Sequence, residues 1–520
     1  MPAINWPFPV GDEPGQGAGP QRTLTDVAVR GSALNSAQWL VNKGVTAAAM
    51  LLVASLLAPG EYGIATQALA IYQVVVVLAP MTVGDVLIAH PRRALLFAPA
   101  ASRVARRIGW MMSGAVLFSI PAAIAIYSKY PAAWLAGMLA VLAVRPLIES
   151  TLVVPLASLR MRLRFGLIAG VDGAVQFLAT CASVASAWLG AGAGSLIVPQ
   201  VAAVAIRAIA FRRKADVAVK GTRNRIDRLL FRQYLPAAGA QYVHNALVML
   251  EVLVLGYVCG DAETGLFGLA FTLAVQANGI IAYQLGQILQ PIFGHLDSDR
   301  VRQLQGFEKA QRSLAAVCVP VSVCQAMVAE PLFRLVLPEG WAGAAPVFQV
   351  LSIGQAFYFA TGPTMSCMRA QRQFGALLAW QVVQLACSIP VFWIGARWSG
   401  ALGVATASLA CWAVGSPVGA WLVFRTSGRG TRASLASSLL LFLRPWVTGL
   451  GALSVGLWAA RSLATYGAAG DAAMVLCVAP TLFVAAIALN RRMDPVFGGV
   501  ADSLLVRLRR PARSKREPPV

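Results

Sequence analysis

Long apolar stretches alternate with short polar gaps along almost the whole chain between residues 33 and 490. A helix needs roughly 20 consecutive, mostly apolar residues to cross the hydrocarbon layer of a membrane. On that criterion the pattern predicts an all-α membrane protein with fourteen transmembrane helices, numbered here as spans 1 to 14. They cover residues 33–58, 64–89, 109–128, 131–156, 165–189, 192–211, 234–258, 263–291, 313–337, 344–368, 375–396, 400–424, 437–460 and 470–490.

Positive charge falls into every second gap, each gap being numbered after the span that precedes it. Odd-numbered gaps hold three of the 43 Lys and Arg residues, namely Lys129, Arg397 and Arg461, whereas the two tails and the even-numbered gaps hold 35. Loops rich in Lys and Arg stay on the cytoplasmic side of a membrane. The alternation therefore predicts a multi-pass protein of the bacterial cytoplasmic (inner) membrane with both termini in the cytoplasm.

The composition agrees, with 58% hydrophobic residues, 12% charged residues and a net charge of +22. Such a charge can indicate nucleic-acid binding, but here topology and anionic lipids explain it, and no nucleic-acid-binding pattern accompanies it. Residues 1–30 lack the short apolar core of a signal peptide, so they are predicted to be a disordered cytoplasmic tail. Residues 491–520 are predicted to be a basic cytoplasmic tail.

Two parts of the chain resemble each other at an offset of about 205 residues. SLRMRLRFGLIA (158–169) matches SCMRAQRQFGALLA (366–379), and LAPGEYGIATQALA (57–70) weakly matches CGDAETGLFGLAFTLA (259–274). Six spans per copy is an even number, so the copies should be related by an axis along the membrane normal, as in many transporters. The predicted units are an N-lobe (31–211, spans 1–6), a basic cytoplasmic linker (212–232), a C-lobe (233–426, spans 7–12) and spans 13–14 (427–490).

Charged residues inside spans are candidates for function, because one at the bilayer centre costs about 2.5–3.5 kcal/mol on insertion scales. The first copy contains Lys43, Arg145, Glu149, Asp172 and Arg207, and the second contains Glu251, with Arg334 near the outer end of span 9. This cationic bias in the first copy suits an anionic substrate. The predicted residues are Asn42, Lys43, Arg145, Arg207, Gln176 and Asn245 for substrate binding, and Glu149, Asp172 and Glu251 for ion coupling.

Each of these charges also has a purely structural interpretation. Arg145 and Glu149 are one helical turn apart and could neutralise each other. Arg207 could extend to the lipid headgroups. Lys43 has no acidic residue three or four positions away, so it could bind a phosphate, or it could pair with Asp172 or Glu149 from another helix. Asp172 and Glu251 could take up a proton or cation, or could form structural pairs.

The chain resembles the polysaccharide-transporter and Wzx-type flippase branch of the multidrug/oligosaccharidyl-lipid/polysaccharide (MOP) superfamily. The similar segments are LASLLAPGEYGIATQALA (53–70), PLASLRMRLRFGLIAGVDG (155–173), EGWAGAAPVFQVLSIGQAF (339–357), MRAQRQFG (368–375) and GALGVATASLA (400–410). The resemblance implies a two-lobed flippase that carries an undecaprenyl-diphosphate-linked oligosaccharide, a repeat unit of exopolysaccharide, O-antigen or capsule, from the inner to the outer leaflet. It also implies cavity cations, which Lys43, Arg145 and Arg207 match by residue type.

Several functions are expected to be absent. The eight cysteines lack CxxC spacing and the three histidines are scattered, so no metal site or cofactor is predicted. No Walker motif occurs, so a proton or sodium gradient is the expected energy source. The expected partners are the lipid-linked substrate, membrane lipids and a polysaccharide polymerase or co-polymerase, with the protein itself a monomer.

Three alternatives remain open on the sequence. A drug/cation antiporter of the same superfamily would need acidic residues to dominate the cavity. A lipid II flippase shares the fourteen-span plan and would be essential for viability. A membrane polymerase or ligase would carry a large loop in an odd-numbered gap, and no such gap is long enough.

Overall fold

The computed structural model describes residues 44–78, 94–161, 164–214, 225–295, 300–371, 373–426 and 431–494, with isolated positions at 80, 81, 83, 84, 87 and 498. These residues are helical almost throughout, and no strand occurs among them. The α-helices are Gly44–Leu56, Pro59–Val75, Ala94–Ile126, Ala132–Ala143, Arg145–Met161, Phe165–Trp188, Gly194–Lys214, Arg225–Val258, Asp261–His295, Arg300–Val336, Ala344–Phe359, Thr361–Ala370, Phe374–Thr426, Thr431–Leu463, Ala468–Ala473 and Ala479–Met493. A π-helical turn, Met474–Val478, joins the last two.

Within these described residues, eight helices are long and apolar enough, by length and composition, to cross a membrane. They are Phe97–Ile126, Ala132–Met161, Gly166–Trp188, Gly194–Lys214, Arg300–Val336, Gly375–Arg425, Ala436–Tyr466 and Ala468–Met493. Gly44–Leu56 and Tyr242–Val258 are apolar but shorter. The all-helical membrane class is thus confirmed, and the count of fourteen spans stays a prediction.

Several helices extend well beyond their predicted spans on the side of the even-numbered gaps. Ala94–Ile126 begins before residue 109, so Arg103, Arg106 and Arg107 lie on a helix and not in a loop. The reason is that the span criterion detects only hydrocarbon thickness. Backbone hydrogen bonding continues into polar sequence when no residue interrupts the helix.

Spans 4 and 10 are each divided into two helices, at Val144 and at Ala360. A proline follows closely in both cases, Pro146 and Pro363, and proline cannot donate the hydrogen bond that would continue the preceding helix. The turn between spans 11 and 12 depends on Gly400, whose φ of 54° and ψ of −131° lie outside the helical region. Such a φ favours glycine, which has no Cβ.

The buried apolar residues form one cluster that is shared by both halves of the molecule and several clusters that belong to one half only. We call residues 44–214 the N-half and residues 225–426 the C-half. Each span has one end next to an odd-numbered gap, its odd-gap end, and one next to an even-numbered gap or a tail, its even-gap end. The largest buried cluster, which we call the shared core, draws on the odd-gap ends of spans from both halves. It includes Leu57, Tyr130, Leu139, Ile197, Leu255, Phe267, Trp341 and Val404. Towards the even-numbered gaps, the described residues form clusters that do not cross between the halves. Phe97, Ile108 and Phe211 belong to N-half clusters, and Phe293, Phe307 and Phe424 to a C-half cluster that includes Leu441 of span 13.

Spans 13 and 14 pack against span 9 of the C-half. Their buried cluster joins Val323 and Met327 to Trp446 and Met474. A buried polar contact reinforces the packing: Thr448 Oγ1 donates to Asn490 Oδ1 at 2.6 Å, and Asn490 Nδ2 donates to the Ala316 carbonyl at 2.9 Å. Polar contacts of this kind contribute to helix association inside membranes.

Exposed aromatic residues mark the odd-gap ends of several helices. Trp188 ends span 5 with 75% of its surface exposed, and Trp398 ends span 11 with 87% exposed. Trp134, Trp458 and Tyr466 occupy similar positions and are exposed as well. Trp and Tyr are enriched where a membrane meets water, so this ring is consistent with an interface at the odd-gap ends.

Candidate functional site

The two halves are joined by hydrogen bonds at the odd-gap end. Tyr130, between spans 3 and 4, places its hydroxyl 2.8 Å from Thr264 Oγ1 and 3.1 Å from the Gly260 carbonyl oxygen of the C-half. The Trp341 indole donates across the same interface to the Leu57 carbonyl at 3.2 Å. These contacts close the odd-gap end of the molecule.

Further contacts around this closure come from the same short connection of the N-half. The Lys129 ammonium donates to the Val258 carbonyl, and the Tyr127 hydroxyl lies 3.4 Å from the Leu253 carbonyl oxygen. The halves share a core here, and towards the even-numbered gaps the buried clusters of the described residues each stay within one half. We interpret this arrangement as a cleft between the halves that faces the basic, even-gap end.

In the N-half, Arg145 and Glu149 form an ion pair. Arg145 Nε lies 2.7 Å from Glu149 Oε1, with 34% and 16% of the side chains exposed. The guanidinium also lies 5.7 Å from the centre of the Tyr72 ring. Tyr72 is on span 2, one of the spans that contact the C-half, so the pair sits on the inner side of the N-half at mid-depth. The Arg145 charge is balanced within its own helix, as the structural interpretation required.

Arg207 and Asp172 form a second pair in the N-half, between spans 6 and 5. Arg207 Nε lies 2.9 Å from Asp172 Oδ1, with 36% and 37% of the side chains exposed. Neither residue was expected to pair with the other. Gln176 lies one turn from Asp172 on the same helix and is half-buried. Arg207 therefore has a counter-ion on the neighbouring span of its own half.

The C-half contains a buried polar and aromatic cluster at mid-depth. Ser408 Oγ donates to Glu251 Oε1 at 2.6 Å, and the other oxygen of this buried carboxylate accepts no hydrogen bond from the described residues. His244, two turns from Glu251, lies with Nε2 3.3 Å from the Tyr358 hydroxyl. Tyr358 in turn packs edge-on against Trp412, with ring centres 4.7 Å apart. Spans 7, 10 and 12 thus meet around Glu251.

The remaining predicted residues have different outcomes. Asn42 and Lys43 lie outside the described residues, so their roles stay predictions. Asn245 is half-buried beside His244 on span 7.

Four residues of these clusters were not anticipated: Tyr72, Tyr358, Ser408 and Trp412. None carries a charge, and a Ser or aromatic residue in an apolar span gives no signal that separates it from ordinary packing. Ser408 lies within GALGVATASLA (400–410), which stands out in the sequence only for its similarity to the flippase branch.

Solved structures superpose on the fold of this chain. A structure titled lipid II flippase MurJ, inward closed conformation, superposes with a TM-score of 0.67 over 88% of this chain and 99% of that chain, at 12% identity. A multidrug resistance MATE family transporter of the MOP superfamily in an inward-facing conformation gives 0.57, over 76% and 95%, at 12% identity. A MOP superfamily transporter from Pyrococcus furiosus gives 0.52, over 79% and 96%, at 13% identity. This chain shares the fold of these three structures.

The sequence comparisons then give the family. Residues 52–346, more than half of the chain, match the family described as polysaccharide biosynthesis protein. The chain belongs to this family, which confirms the predicted resemblance.

Two relatives match over shorter regions, both at 24% identity. One is an uncharacterized membrane protein in the cps region of Klebsiella pneumoniae, over 36% of this chain and 38% of the relative. The other is the lipopolysaccharide biosynthesis protein WzxC of Escherichia coli strain K12, over 30% and 32%. The chain thus matches about a third of the length of each relative.

Proposed function

We propose that this protein is a flippase that moves an undecaprenyl-diphosphate-linked oligosaccharide from the inner to the outer leaflet by alternating access. The observation that carries the proposal is the one-ended closure: a shared core at the odd-gap end and separate clusters at the basic end. A cleft of this form admits a head group from one side only. If the basic end is cytoplasmic, as the charge pattern predicts, the protein is open to the leaflet where lipid-linked sugars are made.

The chemistry of the substrate explains why such a cleft is needed. A sugar diphosphate would have to shed its water to cross hydrocarbon, at a cost of many kcal/mol. A polar passage between two halves replaces that water, while the lipid tail stays in the bilayer. Arg145 and Arg207 remain the N-half candidates for binding the head group, with Gln176 and Asn245 as polar neighbours.

The two ion pairs change how the predicted cations would act. Glu149 and Asp172 already neutralise Arg145 and Arg207, so a diphosphate would have to compete with these carboxylates. Exchange of a carboxylate for a phosphate would then be a step of the transport cycle. It would couple substrate arrival to the release of Glu149 or Asp172.

Ion coupling is proposed to centre on Glu251. The carboxylate is buried in the C-half, and one oxygen accepts no hydrogen bond from the described residues. A buried carboxylate is costly unless it is protonated or paired with a cation. A proton or sodium ion would meet that need, and the membrane potential supplies about 2.3 kcal/mol per charge for each 100 mV.

Deletion of the gene tests the proposed function. The expected result is build-up of lipid-linked glycan on the cytoplasmic face together with loss of surface polysaccharide, both restored by the wild-type gene. Unchanged surface polysaccharide and no accumulated glycan would contradict the proposal.

Lipid II flipping is the second candidate, because the fold is shared with a lipid II flippase. The same deletion strain separates the two: a strain that grows with normal peptidoglycan but lacks surface polymer supports the polysaccharide substrate, whereas failure to grow supports lipid II. A drug antiporter would instead give a strain with raised drug susceptibility and normal glycans.

A further inference from the structure

One polar side chain lies among the apolar residues of the shared core, where the two halves meet. Gln67, on the helix Pro59–Val75, is completely buried. Its side chain faces span 7 of the C-half, since a Cβ added to Gly256 would lie 2.1 Å from Gln67 Oε1. Gly256 is one helical turn before Gly260, whose carbonyl oxygen lies 3.1 Å from the Tyr130 hydroxyl. Gln67 therefore lies just inside the closed odd-gap end.

Neither polar atom of the Gln67 amide forms a hydrogen bond of ordinary length and angle with a described residue. The Tyr127 hydroxyl lies beside the amide, but it donates to the Leu253 carbonyl at 3.4 Å instead. A buried amide that loses its hydrogen bonds to water without gaining others destabilises the state in which it is buried. The closed arrangement would therefore be more stable with an apolar side chain of the same shape at position 67.

The second copy of the predicted repeat has an apolar residue at the position that corresponds to Gln67. Gly63 pairs with Gly265 in the repeat, each two residues after a glutamate, and four residues further on the first copy has Gln67 where the second has Leu269. Leu269 is also completely buried in the shared core. Since the equivalent position is filled by leucine, packing alone does not explain why the first copy carries a polar residue.

Opening of the odd-gap end would change the surroundings of this amide. Separation of the halves would move Gln67 away from Gly256 and give both amide atoms access to water, which removes the cost of burying them. An apolar side chain at position 67 would gain nothing from opening and would favour the closed arrangement. A protein that alternates between two arrangements needs both to be populated, so neither can be stabilised too far.

We infer that Gln67 keeps the closure of the odd-gap end reversible by destabilising the closed arrangement. The inference rests on the alternating access of the proposed function, and it is independent of which substrate is carried. Gln67 acts on the balance between the closed and the open arrangement, and this role requires no contact with the substrate.

Labelling of Cys259 by a membrane-impermeant maleimide tests this inference, with the purified protein in nanodiscs and mass spectrometry as the readout. Cys259 follows Val258, whose carbonyl accepts a hydrogen bond from Lys129 across the closure. Gln67→Leu should slow the labelling at least about fivefold and raise the melting temperature, because the closed arrangement no longer buries an unsatisfied amide. Labelling within about twofold of wild type, or faster than wild type, would overturn the inference.

Gln381→Leu is the matched control. Gln381 is also buried, with 2% of its surface exposed, and its amide oxygen accepts no hydrogen bond from the described residues, but it lies on the even-gap side of span 11. This variant should label like wild type even if its melting temperature rises. Equal slowing in both variants would show a general effect of stability and would overturn the inference. Gln67→Met, which is unbranched like glutamine, repeats the test if the leucine variant does not fold.

A transport assay in proteoliposomes separates this inference from the proposed function. If wild type is labelled at Cys259 but does not move undecaprenyl-diphosphate-linked glycan, the proposed substrate is wrong, and the labelling rates of the variants still decide the role of Gln67. If wild type moves the glycan and Gln67→Leu is labelled like wild type, only the role of Gln67 fails.

Discussion

Gly63, on the helix Pro59–Val75 that contains the start of span 2, and Gly265 of span 8 lie backbone against backbone at the odd-gap end. A Cβ added to Gly63 would lie 2.9 Å from the Gly265 nitrogen, and one added to Gly265 would lie 3.1 Å from the Gly63 nitrogen. Each would lie closer still to a carbonyl oxygen of the facing helix, that of Asp261 or of Pro59. Each glycine thus meets the backbone of the other's helix in the same way. A two-fold axis that relates spans 2 and 8 would produce such a symmetric contact. It is one observation in favour of the predicted repeat.

Gly63→Ala should loosen the closed end. The new methyl group must push spans 2 and 8 apart, and overpacking of this kind costs about 1–3 kcal/mol. Cys259 reports the change, because it lies between Val258 and Gly260, which the N-half contacts through Lys129 and Tyr130. Burial raises the pKa of the Cys259 thiol and slows its reaction. Labelling of Cys259 by a membrane-impermeant maleimide, followed by mass spectrometry, should be at least about fivefold faster.

Gly137→Ala is the control for this substitution. It also adds one methyl group to a helix of the N-half, but no heavy atom lies within 4 Å of the added Cβ. Its labelling should match wild type. Labelling of Gly63→Ala at the wild-type rate, with an unchanged melting temperature, would show that the glycine contact does not hold the end closed.

Tyr130→Phe should lower stability in a pH-dependent way. Burial raises the pKa of Tyr130 well above its ordinary value of 10.0, and the nearby Asp261 adds to the effect. Because the folded pKa is raised, the stabilisation from this phenol is complete below the unfolded pKa and is lost as pH rises above it. The variant should be about 0.5–1.5 kcal/mol less stable at pH 8, from the lost hydrogen bonds. The difference in stability between the variant and wild type should shrink above about pH 10. Melting temperatures measured from pH 8 to pH 11 would show this, and a stability difference that stays constant with pH would refute the role of burial.

Glu251→Gln should uncouple transport without unfolding the protein. Glutamine keeps an acceptor for the Ser408 hydroxyl but cannot take up a proton or hold a cation as a carboxylate does. Transport in proteoliposomes should lose its dependence on an imposed ion gradient while the melting temperature changes little. Glu330→Gln is the control, since that carboxylate is 62% exposed and pairs with Arg334 at the surface. Gradient dependence that survives in Glu251→Gln would remove the residue from the coupling mechanism.

A double substitution should distinguish a structural role of the Arg145–Glu149 pair from a role of Arg145 in substrate binding. Arg145→Ala alone leaves Glu149, with 16% of its side chain exposed, without its partner, so stability should fall by about 1–2 kcal/mol, between the values for exposed and buried pairs. Adding Glu149→Gln should restore the amount of folded protein. If Arg145 also binds the substrate, export of polysaccharide should stay low in the double variant. Full recovery of export would leave the pair with a structural role only.

Much of the fold could be predicted from the sequence, but little of the site. The helical class follows from long apolar stretches, and the turn at Gly400 falls at a predicted span boundary. The breaks in spans 4 and 10 were not predicted, although the prolines beside them are local features. The Arg145–Glu149 pair could be foreseen because the two residues are one turn apart. The Arg207–Asp172 pair could not, because each of the charges in the spans could reach several others once the helices pack.

The sequence by itself determined the membrane class, the helical content and the separation of gaps rich in Lys and Arg from gaps that hold few of them. These depend on the length and charge of contiguous segments, which hydration and the hydrocarbon thickness control directly. Only the tertiary structure decided that Ser408 meets Glu251, that Arg207 pairs with Asp172, and that the halves close at the end where Gly63 meets Gly265. Those contacts join residues far apart in the chain, and their geometry depends on how closely the helices pack, which no single segment encodes.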